Sequence, residues 1–131
     1  MTRELLKSYN SIRAEIVSIR IRLKELRADA VSLGVKIDGM PRARATGRPT
    51  EDVALRLIDT EKQYTERLGQ LLSLEREITE WLESVDDALV VSYVRLKYFE
   101  GLSDEEIESV LYCSRSTLWR RLDKKLQQMK Q

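Results

Sequence analysis

Apolar residues recur at Leu5, Tyr9, Ile12, Ile16, Ile19, Leu23, Leu26 and Ala30, in steps of 4, 3, 4, 3, 4, 3 and 4, and no glycine or proline precedes Gly34. Alternating steps of three and four keep one face of an α-helix apolar, and a narrow seam of this length is covered only by another helix. Lys7, Arg13, Glu15, Arg20, Arg22 and Glu25 fall on the other faces. A helix over residues 2–33 extends roughly 45 to 50 Å at 1.5 Å per residue. Such a helix requires a partner, from the same chain or from a second copy.

Residues 34–50 hold three glycines and both prolines, in Asp38-Gly39-Met40-Pro41 and Thr46-Gly47-Arg48-Pro49. Glycine and proline interrupt regular structure through unusual φ and a missing donor, so a loop is expected, made basic by Arg42, Arg44 and Arg48. Thr50 is a suitable N-cap, and Glu51 and Asp52 follow where the helix dipole favours negative charge, so a second long helix is expected from near Glu51. Its seam reads Ala54, Leu57, Glu61, Tyr64, Leu68, Leu71, Glu75, Ile78, Leu82 and Val85, with Ile58, Leu72, Leu74 and Trp81 widening the apolar face. That width predicts contact with more than one helix. Gly69 reads as a position of close packing, with a functional kink as the alternative.

The two long segments are expected to form an antiparallel, coiled-coil-like hairpin over residues 1–85, serving as an oligomerisation or partner region. The same geometry also suits pairing between copies, and a dimer is the favoured oligomer. A third helix is expected from Asp86 or Asp87 to Phe99, apolar almost all round and therefore the buried centre of a small trihelical unit over residues 86–131. The fold class is all-α.

Composition removes several classes of function. The chain has one cysteine, Cys113, and no histidine, so a disulfide framework, a Cys/His zinc site and histidine-based catalysis cannot be assembled. No enzyme activity and no cofactor are expected. No apolar run approaches ~20 residues, and Met1-Thr2-Arg3-Glu4 lacks a signal-peptide core, so a soluble, cytoplasmic protein without a membrane partner is expected. The net charge of +1 conceals a partition: residues 51–83 carry four basic and nine acidic side chains, 84–111 two and seven, and 112–131 six and one. A nucleic-acid surface must therefore be local, and the basic ends are where it belongs.

Gly101-Leu102 is a helix stop, and Ser103 with Glu106 forms a capping box for a following short helix in which Ile107, Val110 and Leu111 share a face. Ser114 is placed to cap a last helix after the break at Tyr112-Cys113. That helix turns Leu118, Leu122, Leu126 and Met129 inward, while Ser116, Arg120 and Lys124, flanked by Thr117, lie opposite. Short helix, tight turn and basic helix outline a helix-turn-helix, which implies duplex DNA as the ligand. Arg115, Arg121, Lys124 and Lys125 are expected on phosphates, and Ser116, Trp119 and Arg120 on base edges.

Leu96-Lys97-Tyr98-Phe99-Glu100-Gly101-Leu102-Ser103, Glu106-Ile107 and Ser114-Arg115-Ser116-Thr117-Leu118 with Arg120-Arg121 resemble region four of bacterial sigma factors over residues 86–129. The whole chain resembles phage late-transcription regulators of the ArpU type, with Gly39-Met40-Pro41-Arg42 similar to a short signature before their second helix. The resemblance implies a sequence-specific activator of phage late genes in a bacterial host. It matches Arg115 to a backbone-contacting position and Ser116, Trp119 and Arg120 to groove-facing ones. Three residues depart from the pattern: Trp119 stands for a basic or small residue, Glu108 for a small one, and Tyr112 for the glycine common in the turn. Trp119 either meets the duplex or packs on the flank of the domain. Two further functions share the same features: DNA recognition during packaging, as in phage small terminase subunits, and a sigma-like module bound to RNA polymerase. Ring-like oligomers mark the first, and co-purification with polymerase the second.

Overall fold

The computed structural model describes residues 1–34 and 48–128. The basic stretch with Arg42 and Arg44 and the inward position expected for Met129 lie outside them. Among the described residues the chain is all-α, without strands: α1 (Arg3–Ser32), α2 (Arg48–Glu83), α3 (Ala88–Val94) continued by a π-helical turn (Arg95–Phe99), α4 (Asp104–Leu111) and α5 (Arg115–Gln128).

α1 ends at Gly34, whose φ of 77° uses the left-handed region open to glycine. Tyr9, Ile16, Leu23, Leu26 and Ala30 of the predicted seam are buried, but near the start Leu6 is buried and Leu5 only half-buried. α2 begins at Arg48, two residues before the expected cap, so Thr50 lies inside the helix. Pro49 falls in the first turn, where its missing N–H leaves no intrahelical bond unmade. Gly69 is exposed, and a Cβ there would meet nothing within 4 Å, so close packing is not its role.

The chain divides into two compact units. Ile12–Gln70 is one, in which Leu23, Leu26 and Ala30 of α1 meet Ala54 and Leu57 of α2. Glu15 pairs with Arg67 (2.9 Å) and Arg27 with Glu61 (3.6 Å), and the Arg20 guanidinium lies 5.8 Å from the centre of the Tyr64 ring. Partners advance along α1 as they retreat along α2, so the helices run antiparallel here.

Met1–Ser11 with Leu71–Gln131 forms the other unit, larger than residues 86–131. Its core gathers Tyr93 and Val94 of α3, Ile107 of α4 and Leu118 and Leu122 of α5, and adds Leu6 and Tyr9 of α1 and Ile78, Trp81 and Leu82 of α2. Each such aliphatic side chain contributes about 1.5 to 3 kcal/mol through removal from water. Asp87 caps α3 by accepting the Leu89 N–H (3.0 Å). The π-helical turn closes on the Glu100 N–H to Arg95 carbonyl bond (3.0 Å), and Phe99 packs tilted on Tyr9 with ring centres 5.4 Å apart. Gly101, at φ 76°, then ends the segment, and the Leu102 N–H reaches back to the Leu96 carbonyl (3.0 Å).

Candidate nucleic-acid interface

The capping box expected at the start of α4 is present: Ser103 Oγ accepts the Glu106 N–H (3.2 Å), and the Glu106 carboxylate accepts the Ser103 N–H (3.3 Å). Ile107 is fully buried and Leu111 half-buried, while Val110, expected on the same face, is exposed. Tyr112 turns the chain at φ 52°, a left-handed conformation that costs an L residue about 1 to 2 kcal/mol. The residue is 94% exposed, so no packing compensates. Ser114 caps α5, its Oγ accepting the Thr117 N–H (3.4 Å) and sharing a hydrogen bond with Thr117 Oγ1 (2.9 Å). The Thr117 hydroxyl is thereby turned back onto the cap.

Glu108, a departure from the resembled pattern, has a definite task. Its carboxylate accepts the Arg115 backbone N–H (3.0 Å) and the Arg115 guanidinium (2.9 and 3.1 Å). A carboxylate at a helix N-terminus occupies the position where free N–H groups and the macrodipole otherwise attract an anion. The backbone N–H, then the guanidinium, holds Glu108 below the usual glutamate range, and Glu108 raises Arg115 above the usual arginine range.

Trp119 is anchored from below. Its indole Nε1–H donates to the Tyr93 hydroxyl (2.7 Å), which donates to Asp104 Oδ1 (3.2 Å), and Lys97 Nζ donates to the same oxygen (2.8 Å). Burial, with the charge of Asp104, pushes the Tyr93 phenol up to about 12, so it stays a neutral donor across the physiological range. This relay ties α5 to α3 and to the first turn of α4. It takes up the indole N–H, and 40% of the Trp119 residue remains exposed.

The cations on α5 fall into two groups. Arg121 pairs with both oxygens of Asp87 (3.2 and 3.4 Å), and Lys125, mostly covered, pairs with Asp86. With Arg115 held by Glu108, three of the four residues expected on phosphates already face a carboxylate of their own chain. Arg120 and Lys124 form no ion pair among the described residues, and with Ser116 they are exposed at i, i+4 and i+8, opposite the buried Leu118, Leu122 and Leu126. The carboxylates lie 7, 34 and 39 residues from their partners, and only the pair Glu108–Arg115, across a predicted turn, was within reach of sequence reasoning.

Among the described residues no group of His, Cys, Asp or Glu is placed to hold a metal ion, and no helix is long and apolar enough to cross a membrane. No family model, no curated protein and no solved structure matches the chain.

Proposed function

We propose that this protein binds duplex DNA by laying the exposed face of α5 in the major groove, and that it acts as a sequence-specific transcription regulator. The observation that carries this reading is the stripe of Ser116, Arg120 and Lys124, exposed along a basic helix that is braced from behind by three leucines and by the Trp119–Tyr93–Asp104 relay. A reading helix must hold its side chains in fixed register against base edges, and this bracing supplies it. In the proposal Arg120 reads a guanine edge, Ser116 makes a short contact near the helix start, Lys124 binds phosphate, and the exposed part of Trp119 meets the sugar-phosphate wall. Arg115, Arg121 and Lys125 join only by giving up or sharing their carboxylates. The resemblance to phage late-transcription regulators extends the proposal to activation of late genes.

Footprinting on DNA from the gene's own neighbourhood, followed by anisotropy titration of the protected site and of scrambled duplexes, tests the reading. Arg120→Ala is expected to cost about 1 to 3 kcal/mol on the preferred site and little on scrambled DNA. Lys124→Ala weakens all duplexes alike and lowers the salt slope by about 1. Equal losses on every duplex for Arg120→Ala remove it from base reading, and absence of salt-dependent binding overturns the proposal.

A further inference from the structure

Trp119 borders the stripe of Ser116, Arg120 and Lys124, at the seam between the exposed face of α5 and the leucines beneath it. Its indole has one polar atom, Nε1, and that atom is turned inward onto the Tyr93 hydroxyl at 2.7 Å. Tyr93 is fully buried, so water does not compete for the bond. The donor is thus spent inside the domain, and what the exposed part of the side chain offers a ligand is an apolar edge.

The phenol that takes this donor is itself fixed. Its hydroxyl donates to Asp104 Oδ1 (3.2 Å), while Lys97 Nζ donates to the same oxygen (2.8 Å) and lies 5.7 Å from the centre of the Tyr93 ring. Asp104 opens α4 and Lys97 sits in the π-helical turn, so α3, that turn and α4 together hold the group from which the indole hangs. With its proton committed to Asp104, the Tyr93 oxygen faces Trp119 as an acceptor and keeps Nε1 pointed at it.

The major groove offers an apolar edge few matches. Purine N7, guanine O6 and thymine O4 call for a donor, and the adenine and cytosine amino groups for an acceptor. Deoxyribose carbons along the wall of the groove recur at every nucleotide and carry no sequence. At the foot of that wall the one apolar group that differs between bases is the thymine 5-methyl.

We propose that Trp119 reads a thymine through its 5-methyl group, and that Tyr93 is the positioning residue that makes this possible by withholding the indole N–H. The inference rests on the reading of α5 as the DNA-facing helix, and it adds a thymine to the guanine assigned to Arg120. Released from Tyr93, the indole N–H turns toward the groove, where every base pair carries a purine N7 acceptor, and the preference for the methyl is lost.

Deoxyuridine in place of thymine removes the methyl and keeps the base-pair hydrogen bonds, so the protected duplex is remade with each thymine exchanged singly and titrated by anisotropy. At least one exchange is expected to weaken wild-type binding about fourfold, the worth of one methyl taken out of water. In Trp119→Ala and in Tyr93→Phe the same exchange costs nothing. The loss on replacing the guanine assigned to Arg120 stays as in the wild type in both variants, which shows each to be folded and bound in register. A site in which no thymine exchange matters, a cost that survives Trp119→Ala, or a cost unmoved by Tyr93→Phe overturns the inference and leaves the role of Arg120 standing. Absence of salt-dependent duplex binding removes both.

Discussion

Replacing Asp86 and Asp87 together by asparagine should make DNA binding tighter and far more sensitive to salt. Each cation that reaches a phosphate without a carboxylate of its own releases about 0.9 counterion from duplex DNA. In the wild type one cation unpaired among the described residues, Lys124, is assigned to phosphate in the proposal, while Arg120 is assigned to a base edge, which gives a slope of log K against log salt of about −0.9 for one α5 on one site. The double substitution frees Arg121 and Lys125. Three available cations give about −2.7. Between 50 and 200 mM salt the wild type then loses about 3.5-fold in affinity and the variant about 40-fold, by the same relation. The fold is preserved, because asparagine caps a helix about as well as aspartate at position 87 and Asp86 is a surface residue. Anisotropy on a short duplex holding one site gives both slopes. If they agree within about 0.5, the ion pairs open freely on binding and the neutralisation argument is refuted.

Gly69→Ala should raise stability by about 0.5 to 1 kcal/mol, since alanine favours a helix interior and its methyl meets nothing within 4 Å; a lower thermal midpoint would contradict the open space. Tyr112→Gly should gain about 0.5 to 1 kcal/mol in urea unfolding, the relief of left-handed strain less the extra freedom of glycine in the unfolded chain, and any loss would mean that the exposed ring makes a contact of value. Glu108 titrates below its ordinary value in the folded chain, so the stability it contributes is complete above about pH 4.3 and is lost as pH falls through the lower folded value. The acid limb of the stability curve should therefore be shallower in Glu108→Gln, and identical limbs would show that the carboxylate does not hold Arg115 in solution.

Repeats and caps were legible because they depend on neighbours within one or two turns. Tyr9, Ile16, Leu23, Leu26 and Ala30 are buried as their spacing requires, Asp87 caps α3, and Ser103 and Glu106 close their box. Leu118, Leu122 and Leu126 point into the core for the same reason. Reading failed where a residue type has two uses. Thr50 suits a cap or a first turn, and Pro49 before it is as good at opening the helix. Gly69 suits close packing or an open surface, and only the absence of a neighbour decides. The left-handed turn at Tyr112 was not readable, since glycine or asparagine is the ordinary sign of it. Nor were Arg121–Asp87, Lys125–Asp86 and Trp119–Tyr93, which join residues 26 to 39 apart by tertiary packing.

Those long-range pairs change what the charge pattern means. Counted along the chain, residues 112–131 hold six cations against one acid, which resembles a strong phosphate-binding tail. Folding brings Asp86, Asp87 and Glu108 from the acidic middle onto that helix, and each removes one cation from the count. Non-specific attraction falls with every neutralised charge, whereas the base reading proposed for Arg120 and Ser116 does not depend on those cations. On the proposed function this trades affinity for the ratio between correct and incorrect sites, the quantity that matters when competing DNA is in vast excess. A single head of that kind binds weakly by construction.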